Sequence, residues 1–311
     1  MSGKRTARGV DETDLKLIRE LEEDARQSNA RIAAKLGIPP TTVFRRLQRL
    51  LAEKIVQIRA VPDLAALGYQ ERVHMLINVR GGNVDAVADE LARQPGIGSV
   101  LLTTGRYDIV AWVAKHDSKE LLRFIRDTLG GIPHLASAEI LPCLVDVKST
   151  WAVLTGRRQF TIGRWQTPAN LDPIDLALIR ELEVSPRITS LELASRIALS
   201  RTATGRRLRR LLDEGIVTVV SMPDAFALGY RATVGLLLKV HPSSIESVAD
   251  QLASDTRILH VVICAGRYDI VAWGVFANSA EMSRFIREDL GNIPGVITRE
   301  TVSILRVVKI I

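Results

Sequence analysis

Arginine is concentrated in two segments of the sequence that contain no acidic residue. Residues 39–50 hold three arginines and residues 199–211 hold five. Guanidinium groups bind DNA phosphates and can also pair through two hydrogen bonds with guanine in the major groove. The pattern therefore favours nucleic-acid binding, although a solvated helix face has the same composition and stays open as the structural alternative.

Both segments have leucines at helical spacing, which separates a core face from an exposed face. Leu47 and Leu50 define the core face of the first segment, and Leu208 and Leu211 define that of the second. The predicted DNA contacts are Thr41, Thr42, Phe44, Arg45, Arg46 and Arg49 in the first segment, and Arg201, Thr202, Thr204, Gly205, Arg206, Arg207 and Arg210 in the second. We expect base reading from Arg45, Arg201 and Arg206, and phosphate contacts from Arg207 and Arg210.

A second candidate site is the tetrapeptide GRYD, which occurs at Gly105–Asp108 and at Gly266–Asp269. A turn glycine beside a guanidinium, a phenol and a carboxylate can present both charges that a zwitterion such as an amino acid needs. Residue chemistry alone slightly favours a purely structural hairpin. The predicted ligand contacts are Thr104, Gly105, Arg106, Tyr107, Asp108, Ala265, Gly266, Arg267, Tyr268 and Asp269.

Both candidate sites occur twice because the chain contains one sequence unit twice. DLKLIREL matches DLALIREL, and GRYDIVAW is identical at residues 105–112 and 266–273. The same offset of 161 residues also relates Glu139 to Glu300 and holds to the C-terminus without an insertion. The chain is a tandem duplication.

The first part of each unit is predicted to form three short helices and a strand. Ser28 is a plausible cap for the second helix and Gly37 ends it, while Thr189 with Glu192 forms a capping box at the matching place. The third helices carry the arginine segments. The runs IVQIRAV and IVTVVSM that follow predict a wing or an exit strand.

The second part of each unit has the pattern β-α-β-β-α-β of a ferredoxin-like domain. In the first unit we place these elements at residues 72–80, 83–93, 98–104, 107–114, 118–129 and 135–148. Because the helices cover one face of such a sheet, the other apolar face needs a cover. The simplest cover is the sheet of the other unit, in the same chain or in a second chain.

The predicted fold class is α+β, with two repeats of a winged helix-turn-helix domain followed by a βαββαβ domain. We predict helix-turn-helix domains at residues 1–61 and 171–222, and α/β domains at residues 62–150 and 223–311. Residues 151–170 are the linker, in which Trp151, Phe160 and Trp165 indicate packing against another part of the chain.

The composition, with 47% apolar and 25% charged residues, is typical of a globular protein. The net charge of +7 favours a polyanionic partner. No apolar run of transmembrane length and no secretory signal occurs, so we expect a cytoplasmic protein without membrane contact. Cys143 and Cys264 lie in apolar runs without Cys-x-x-Cys spacing, which favours buried free thiols over a metal or redox role.

The helix-turn-helix with RRLRRLLDEGIV, the LGY segment and the TGRYDIVAW hairpin resemble the Lrp/AsnC (feast/famine) family of regulators, twice over. The resemblance implies double-stranded DNA as partner and a small-molecule effector, commonly an amino acid, bound at subunit interfaces beside this hairpin. The sequence contains no HExxH motif, Cys-rich cluster, P-loop or GxGxxG fingerprint, so we expect no cofactor, metal or catalytic residue. Ordinary members carry one unit per chain and associate, so one chain here could replace two subunits and then form dimers or tetramers of chains.

Several positions depart from the family pattern. Pro39 and Pro40 replace the serine that usually caps the recognition helix, whereas Ser200 keeps it. Gly205 lies inside the second recognition helix. The arginine of GRYD stands where the family often has an acidic residue, which weakens any transfer of effector identity.

An enzyme is the alternative function, because siroheme decarboxylases are similar to this family in having the same two-module build and depend on histidines. This chain has five histidines, and none recurs at the repeat offset: His74, His116, His134, His241 and His260. We therefore expect a regulator and not an enzyme.

Overall fold

The computed structural model describes residues 9–157, 159 and 168–310, which form two compact units. Of these residues, the first unit contains 9–67, 149–157, 159 and 169–231, and the second contains the remainder. Each compact unit therefore combines equivalent domains from both sequence repeats. Phe160 and Trp165 lie outside the described residues, and the four domain boundaries stay predictions.

Within the described residues the helices follow the predicted order in both repeats. They are α1 Glu12–Glu23, α2 Asn29–Leu36, α3 Pro40–Ala52, α4 Val84–Arg93, α5 Ser118–Arg123, α6 Pro173–Val184, α7 Ser190–Arg196, α8 Arg201–Asp213, α9 Ile245–Ser254 and α10 Ser279–Arg284. Both α5 and α10 continue into a π-helical turn, Phe124–Thr128 and Phe285–Asp289. No helix in the described ranges combines the length and the apolar character that crossing a membrane requires.

After the three helices of each repeat comes one strand, β1 or β6, and then four strands in the predicted β-α-β-β-α-β pattern. They are β1 Val56–Pro62, β2 Glu71–Val79, β3 Ile97–Thr104, β4 Ile109–Lys115, β5 Leu135–Ser149, β6 Val217–Pro223, β7 Ala232–Val240, β8 Ile258–Cys264, β9 Ile270–Phe276 and β10 Val296–Ile310. The predicted ferredoxin-like arrangement is confirmed in both repeats.

Local capping sets the ends of the helices in the first unit. Ser28 caps α2, Gly37 ends it in the left-handed conformation at a φ of 64°, and Thr189 forms the capping box of α7, as predicted. The hydroxyl of Ser200 accepts a backbone hydrogen bond at the start of α8, whereas Pro39 gives α3 no side-chain cap. The two recognition helices therefore begin differently.

In the first unit, β1 and β6 pair with each other and join the two helix-turn-helix domains in an antiparallel ribbon. At one end the amide of Asp63 donates to the carbonyl of Ile216, and at the other end the amide of Asp224 donates to Ile55, both at 2.8 Å. These two bonds are related by the repeat offset, so the ribbon has approximate twofold symmetry. The strands predicted as wings or exit strands serve to pair the domains.

The described residues 151–157 of the linker pack within the first unit. Trp151 is buried, as predicted. The carboxylate of Glu22 in α1 accepts hydrogen bonds from the amides of Leu154 and Thr155, each at 3.0 Å. Partly buried backbone N–H donors of an irregular segment need hydrogen-bond acceptors, so this carboxylate fixes the linker.

The second unit is an eight-stranded sheet that closes on itself in the order β10-β3-β4-β2-β5-β8-β9-β7. The helices of each copy cover one face, and the opposite faces of the two copies pack together in a shared apolar cluster. This cluster contains Leu76, Tyr107, Val110, Leu141, Leu237, Val262, Cys264, Tyr268, Val271 and Val302. The sheet of the other repeat, in the same chain, thus supplies the predicted cover.

A buried carboxylate holds each recognition helix against the first helix of its domain. Asp14 in α1 is fully buried and lies 2.8 Å from Nη1 of Arg46 and 2.5 Å from Nη2 of Arg49, both in α3. Asp175 makes the equivalent pairs in the second domain. Because a buried carboxylate without a partner is costly, these pairs fix the position of the recognition helix.

We predict that Asp14→Ala lowers the free energy of unfolding of the first helix-turn-helix domain by about 1–3 kcal/mol. The value lies below that of a fully buried pair because both arginines are partly exposed. Glu12→Ala is the matched control, since this exposed residue of the same helix pairs with Lys16 alone among the described residues, and its loss costs below about 0.5 kcal/mol. Urea unfolding followed by circular dichroism measures both, and equal effects would contradict the structural role of Asp14.

Candidate nucleic-acid interface and ligand site

The exposed faces of α3 and α8 carry six of the predicted DNA contacts. These are Thr41, Phe44 and Arg45 on α3, and Arg201, Thr202 and Arg206 on α8. Thr42 and Gly205 are half-buried. In the described part of the chain the three arginines make no ion pair, so their guanidinium groups point to solvent without an internal competitor. Arg209 is also exposed and was not among the predicted contacts.

Four of the predicted DNA contacts already bind carboxylates inside their own domain. Arg46 and Arg49 pair with Asp14, and Arg207 and Arg210 pair with Asp175 at 2.9 and 2.6 Å. Arg207 and Arg210 were predicted from the sequence to contact phosphates. All four arginines therefore help to position the helices, and a DNA phosphate would have to compete with the buried carboxylates for their guanidinium groups.

Thr204 corrects the sequence analysis, because its side chain is fully buried and faces the core of the domain. It occupies the position of Val43 in the first repeat, which is also fully buried. The signal was present in the sequence, since residues 204, 208 and 211 follow the same helical spacing as residues 43, 47 and 50. Thr204 therefore lies off the candidate DNA surface.

The GRYD segments form the predicted turns of two hairpins, β3–β4 and β8–β9. Gly105 and Gly266 have φ angles of 116° and 122°, where other residues are strained. A side chain on Gly105 would meet the carbonyl of Thr301 at 3.1 Å, and one on Gly266 would meet Leu141 at 3.1 Å. Each hairpin thus lies directly against the last strand of the other copy.

The two GRYD tyrosines meet where the copies pack together. Tyr107 and Tyr268 are buried, and their phenol oxygens lie 3.3 Å apart. Tyr107 donates to Glu139 at 2.9 Å, and Tyr268 donates to Glu300 at 2.8 Å. Burial raises the pKa of both phenols, so each stays protonated and acts as a donor.

The same two glutamates bind the GRYD arginines of the opposite copy. Arg267 Nε lies 2.9 Å from Glu139 Oε1, and Arg106 Nη1 lies 3.6 Å from Glu300 Oε1. All four side chains are partly exposed. Sequence reasoning missed the glutamates as site residues, although their recurrence at the repeat offset was a usable signal. The result is a pair of accessible Arg-Tyr-Glu clusters built from both copies.

The GRYD aspartates fix the hairpins to the neighbouring strands. Asp108 accepts a hydrogen bond from the amide of Val79, and Asp269 accepts one from Val240, both at 2.8 Å. Lys239 also pairs with Asp269 at 2.8 Å. Both carboxylates predicted to bind an ammonium group therefore also hold their hairpins in place, and within the described residues Asp269 alone pairs with a lysine.

Comparison with protein families covers most of the chain. An AsnC-type helix-turn-helix domain matches residues 10–51, and a winged helix-turn-helix DNA-binding domain matches residues 171–218. The Lrp/AsnC ligand binding domain matches twice, at residues 72–153 and 231–310. Both repeats thus carry both domain types.

Curated relatives include archaeal regulators of about half the length of this chain. The chain is 32% identical over 142 residues to the HTH-type transcriptional regulator FL11 of Pyrococcus horikoshii. The aligned residues cover 45% of this chain and 93% of that protein. It is 34% identical over 127 residues to FL11 of Pyrococcus furiosus, covering 40% of this chain and 83% of the relative.

Among solved structures, the siroheme decarboxylase NirDL is similar over 97% of this chain and 93% of its own, with a TM-score of 0.66 and 16% identity. At that identity the likeness shows a shared fold. The family matches, in contrast, are similarities in sequence, and they include both domain types in both repeats. The chain belongs to the Lrp/AsnC family and is a DNA-binding transcriptional regulator with two helix-turn-helix domains and two ligand-binding domains.

Proposed function

We propose that this regulator binds duplex DNA sequence-specifically through α3 and α8 and responds to a small zwitterionic metabolite, an amino acid in the first instance. The observation that carries the proposal is the pair of Arg-Tyr-Glu clusters beside the GRYD hairpins. Each cluster offers a cation and a carboxylate from different copies, at a partly exposed position. A zwitterion can replace each internal ion pair with two new ones, in which its carboxylate binds the arginine and its ammonium binds the glutamate.

The two clusters differ in how firmly they are closed. Arg106 and Glu300 are 3.6 Å apart, a longer contact than the 2.9 Å between Arg267 and Glu139. Asp108 carries no lysine partner in the described residues, whereas Asp269 binds Lys239. We therefore assign the tighter ligand site to the Arg106 cluster, where a carboxylate would bind the guanidinium and an ammonium would bind Glu300 or Asp108.

We propose binding and not catalysis as the task of this chain. The side chains of the two clusters are arginine, tyrosine and glutamate, with no histidine among the contacts described above. The histidine-dependent chemistry considered as the alternative would need another location. Addition of siroheme to the purified protein is the direct check, and a stoichiometric absorbance change would favour the enzyme.

Association of chains and a cytoplasmic location are also part of the proposal. The internal pairing already gives one chain the content of two ordinary subunits, so dimers or tetramers of chains would correspond to larger assemblies of the family. Exposed apolar residues on the last strand of each repeat, such as Leu144 in β5 and Leu305 in β10, would provide contact area for this association.

We predict that Arg45→Ala, Arg201→Ala and Arg206→Ala reduce the preference for a selected operator over random duplex, because each removes a solvent-facing guanidinium. The expected loss is about 1–3 kcal/mol for a residue that pairs with guanine. Fluorescence anisotropy over a series of salt concentrations measures it. Arg19→Ala, an exposed arginine of α1, is the control and should leave the preference unchanged. Absence of DNA binding by the wild type at low salt would refute the proposal.

We also predict an asymmetric operator, with half-sites that differ in sequence. At equivalent positions α3 presents the exposed ring of Phe44, whereas α8 has Gly205. The helices therefore offer different surfaces to the groove. Selection of bound sequences from a random pool tests this. A strictly palindromic consensus from a single-chain complex would contradict it.

For the ligand, we predict that a thermal-shift screen of the twenty amino acids identifies a compound that raises the melting temperature and alters DNA affinity. Asp108→Asn and Glu300→Gln should then weaken its binding about tenfold or more, since each removes a charge-assisted bond. Asp269→Asn is the matched control in the closed cluster and should have a smaller effect. If no compound acts on the wild type, or if all three variants respond equally, the assignment of the site is wrong.

A further inference from the structure

Both cysteines of the chain lie beside a histidine inside the second unit. His74 in β2 and Cys264 at the end of β8 are buried, and Cys143 in β5 is half-buried. The Nδ1 atom of His74 lies 3.1 Å from the sulfur of Cys143. A ring nitrogen of His74 and the two sulfurs all lie within 4.8 Å of one another. Buried free thiols were predicted from the sequence, but their proximity to each other was not.

Strand geometry explains the cluster. Successive side chains of a strand alternate between faces. His74 shares a face with Leu76, Cys143 with Leu141, and Cys264 with Val262, and these partners all belong to the cluster between the two sheets. The residues are far apart in sequence and come from both copies. Only the internal pairing of the sheets brings their side chains to one point.

We propose that His74, Cys143 and Cys264 form a Zn²⁺ site that links the two α/β domains of the chain. Two thiolates and one imidazole are a ligand set that zinc binds strongly. At normal zinc–ligand distances, neighbouring ligand atoms of a tetrahedral site are about 3.3–3.8 Å apart. This range lies between the 3.1 Å of the His74–Cys143 contact and the 4.8 Å within which all three ligand atoms lie. The fourth position would take a water molecule or an exogenous ligand.

Charge balance supports a divalent cation at this buried position. Binding releases the two thiol protons to solvent, and the two thiolates then neutralise Zn²⁺ while the neutral imidazole donates its nitrogen lone pair. The bound site has no net charge, so its burial carries no uncompensated ion. Besides the contact of Cys143 with His74, each thiol has a long contact to a backbone carbonyl, 4.0 Å for Cys143 and 3.8 Å for Cys264.

The site occurs once per chain because the repeats have diverged at all three positions. The equivalents of His74, Cys143 and Cys264 are Gly235, Ile304 and Thr103, none of which provides the same ligand. The proposal therefore predicts a stoichiometry of one, which distinguishes it from metal binding by exposed histidines. It does not depend on the proposed amino-acid ligand.

The test uses the full-length chain, purified with a phosphine reductant and freed of metal. We expect one equivalent of Zn²⁺ to bind, to raise the melting temperature, and to protect both thiols from alkylation. Co²⁺ as a probe should give thiolate-to-metal charge-transfer absorbance. Cys143→Ser and Cys264→Ser should each weaken zinc binding about 100-fold or more, because loss of a ligand exceeds the effect of an outer-shell partner.

His241→Gln is the matched control, since this histidine is exposed and is not a member of the cluster. It should bind zinc as the wild type does. If a variant fails to fold, thiol protection in the wild type still decides the question. Absence of stoichiometric binding, unchanged affinity in both cysteine variants, or a Cys143–Cys264 disulfide that persists under the reductant would overturn the proposal.

Discussion

Each α/β sheet of this chain has one apolar face that its own helices leave uncovered, and the structure depends on how that face is buried. The face of one copy packs against that of the other, with Leu76, Val110, Leu237 and Val271 among the side chains in the shared cluster. Closing the eight strands into a continuous sheet also removes the unpaired edges that would otherwise attract other chains. Hydrophobic burial and backbone pairing therefore favour the same arrangement.

Because the two copies are paired within one chain, their shared sites are composite and free to differ. The Arg-Tyr-Glu clusters take their arginine from one copy and their glutamate from the other. An identical homodimer would have two equal clusters. Here a lysine beside Asp269 has no equivalent beside Asp108, where the repeat has Asn78. Covalent linkage thus allows one site to be retained while its counterpart changes.

The basic residues of the recognition helices have two physical roles. Some face solvent, and others neutralise a buried carboxylate of the first helix. The second group positions the helix and the first group is available to DNA. A count of arginines cannot separate these roles, since both produce the same excess of positive charge.

The sequence by itself determined the duplication, the order of helices and strands, and the turn at each GRYD segment. These features depend on local preferences: helical spacing of leucines, capping hydroxyls such as Ser28 and Ser200, and glycines at left-handed turns. Local signals are short-range, and a repeat makes each one visible twice. For the same reason Leu47 and Leu208 could be assigned to the core directly from their spacing.

Only the tertiary structure decided which side chains meet. The contact of Tyr107 with Glu139 joins residues of one copy, whereas that of Arg267 with Glu139 depends on pairing between copies. The sequence left open whether that pairing occurs within a chain or between chains. The gathering of His74 with both cysteines depends on it as well. Such contacts are set by strand register and sheet packing over long sequence separations, and no local pattern encodes them.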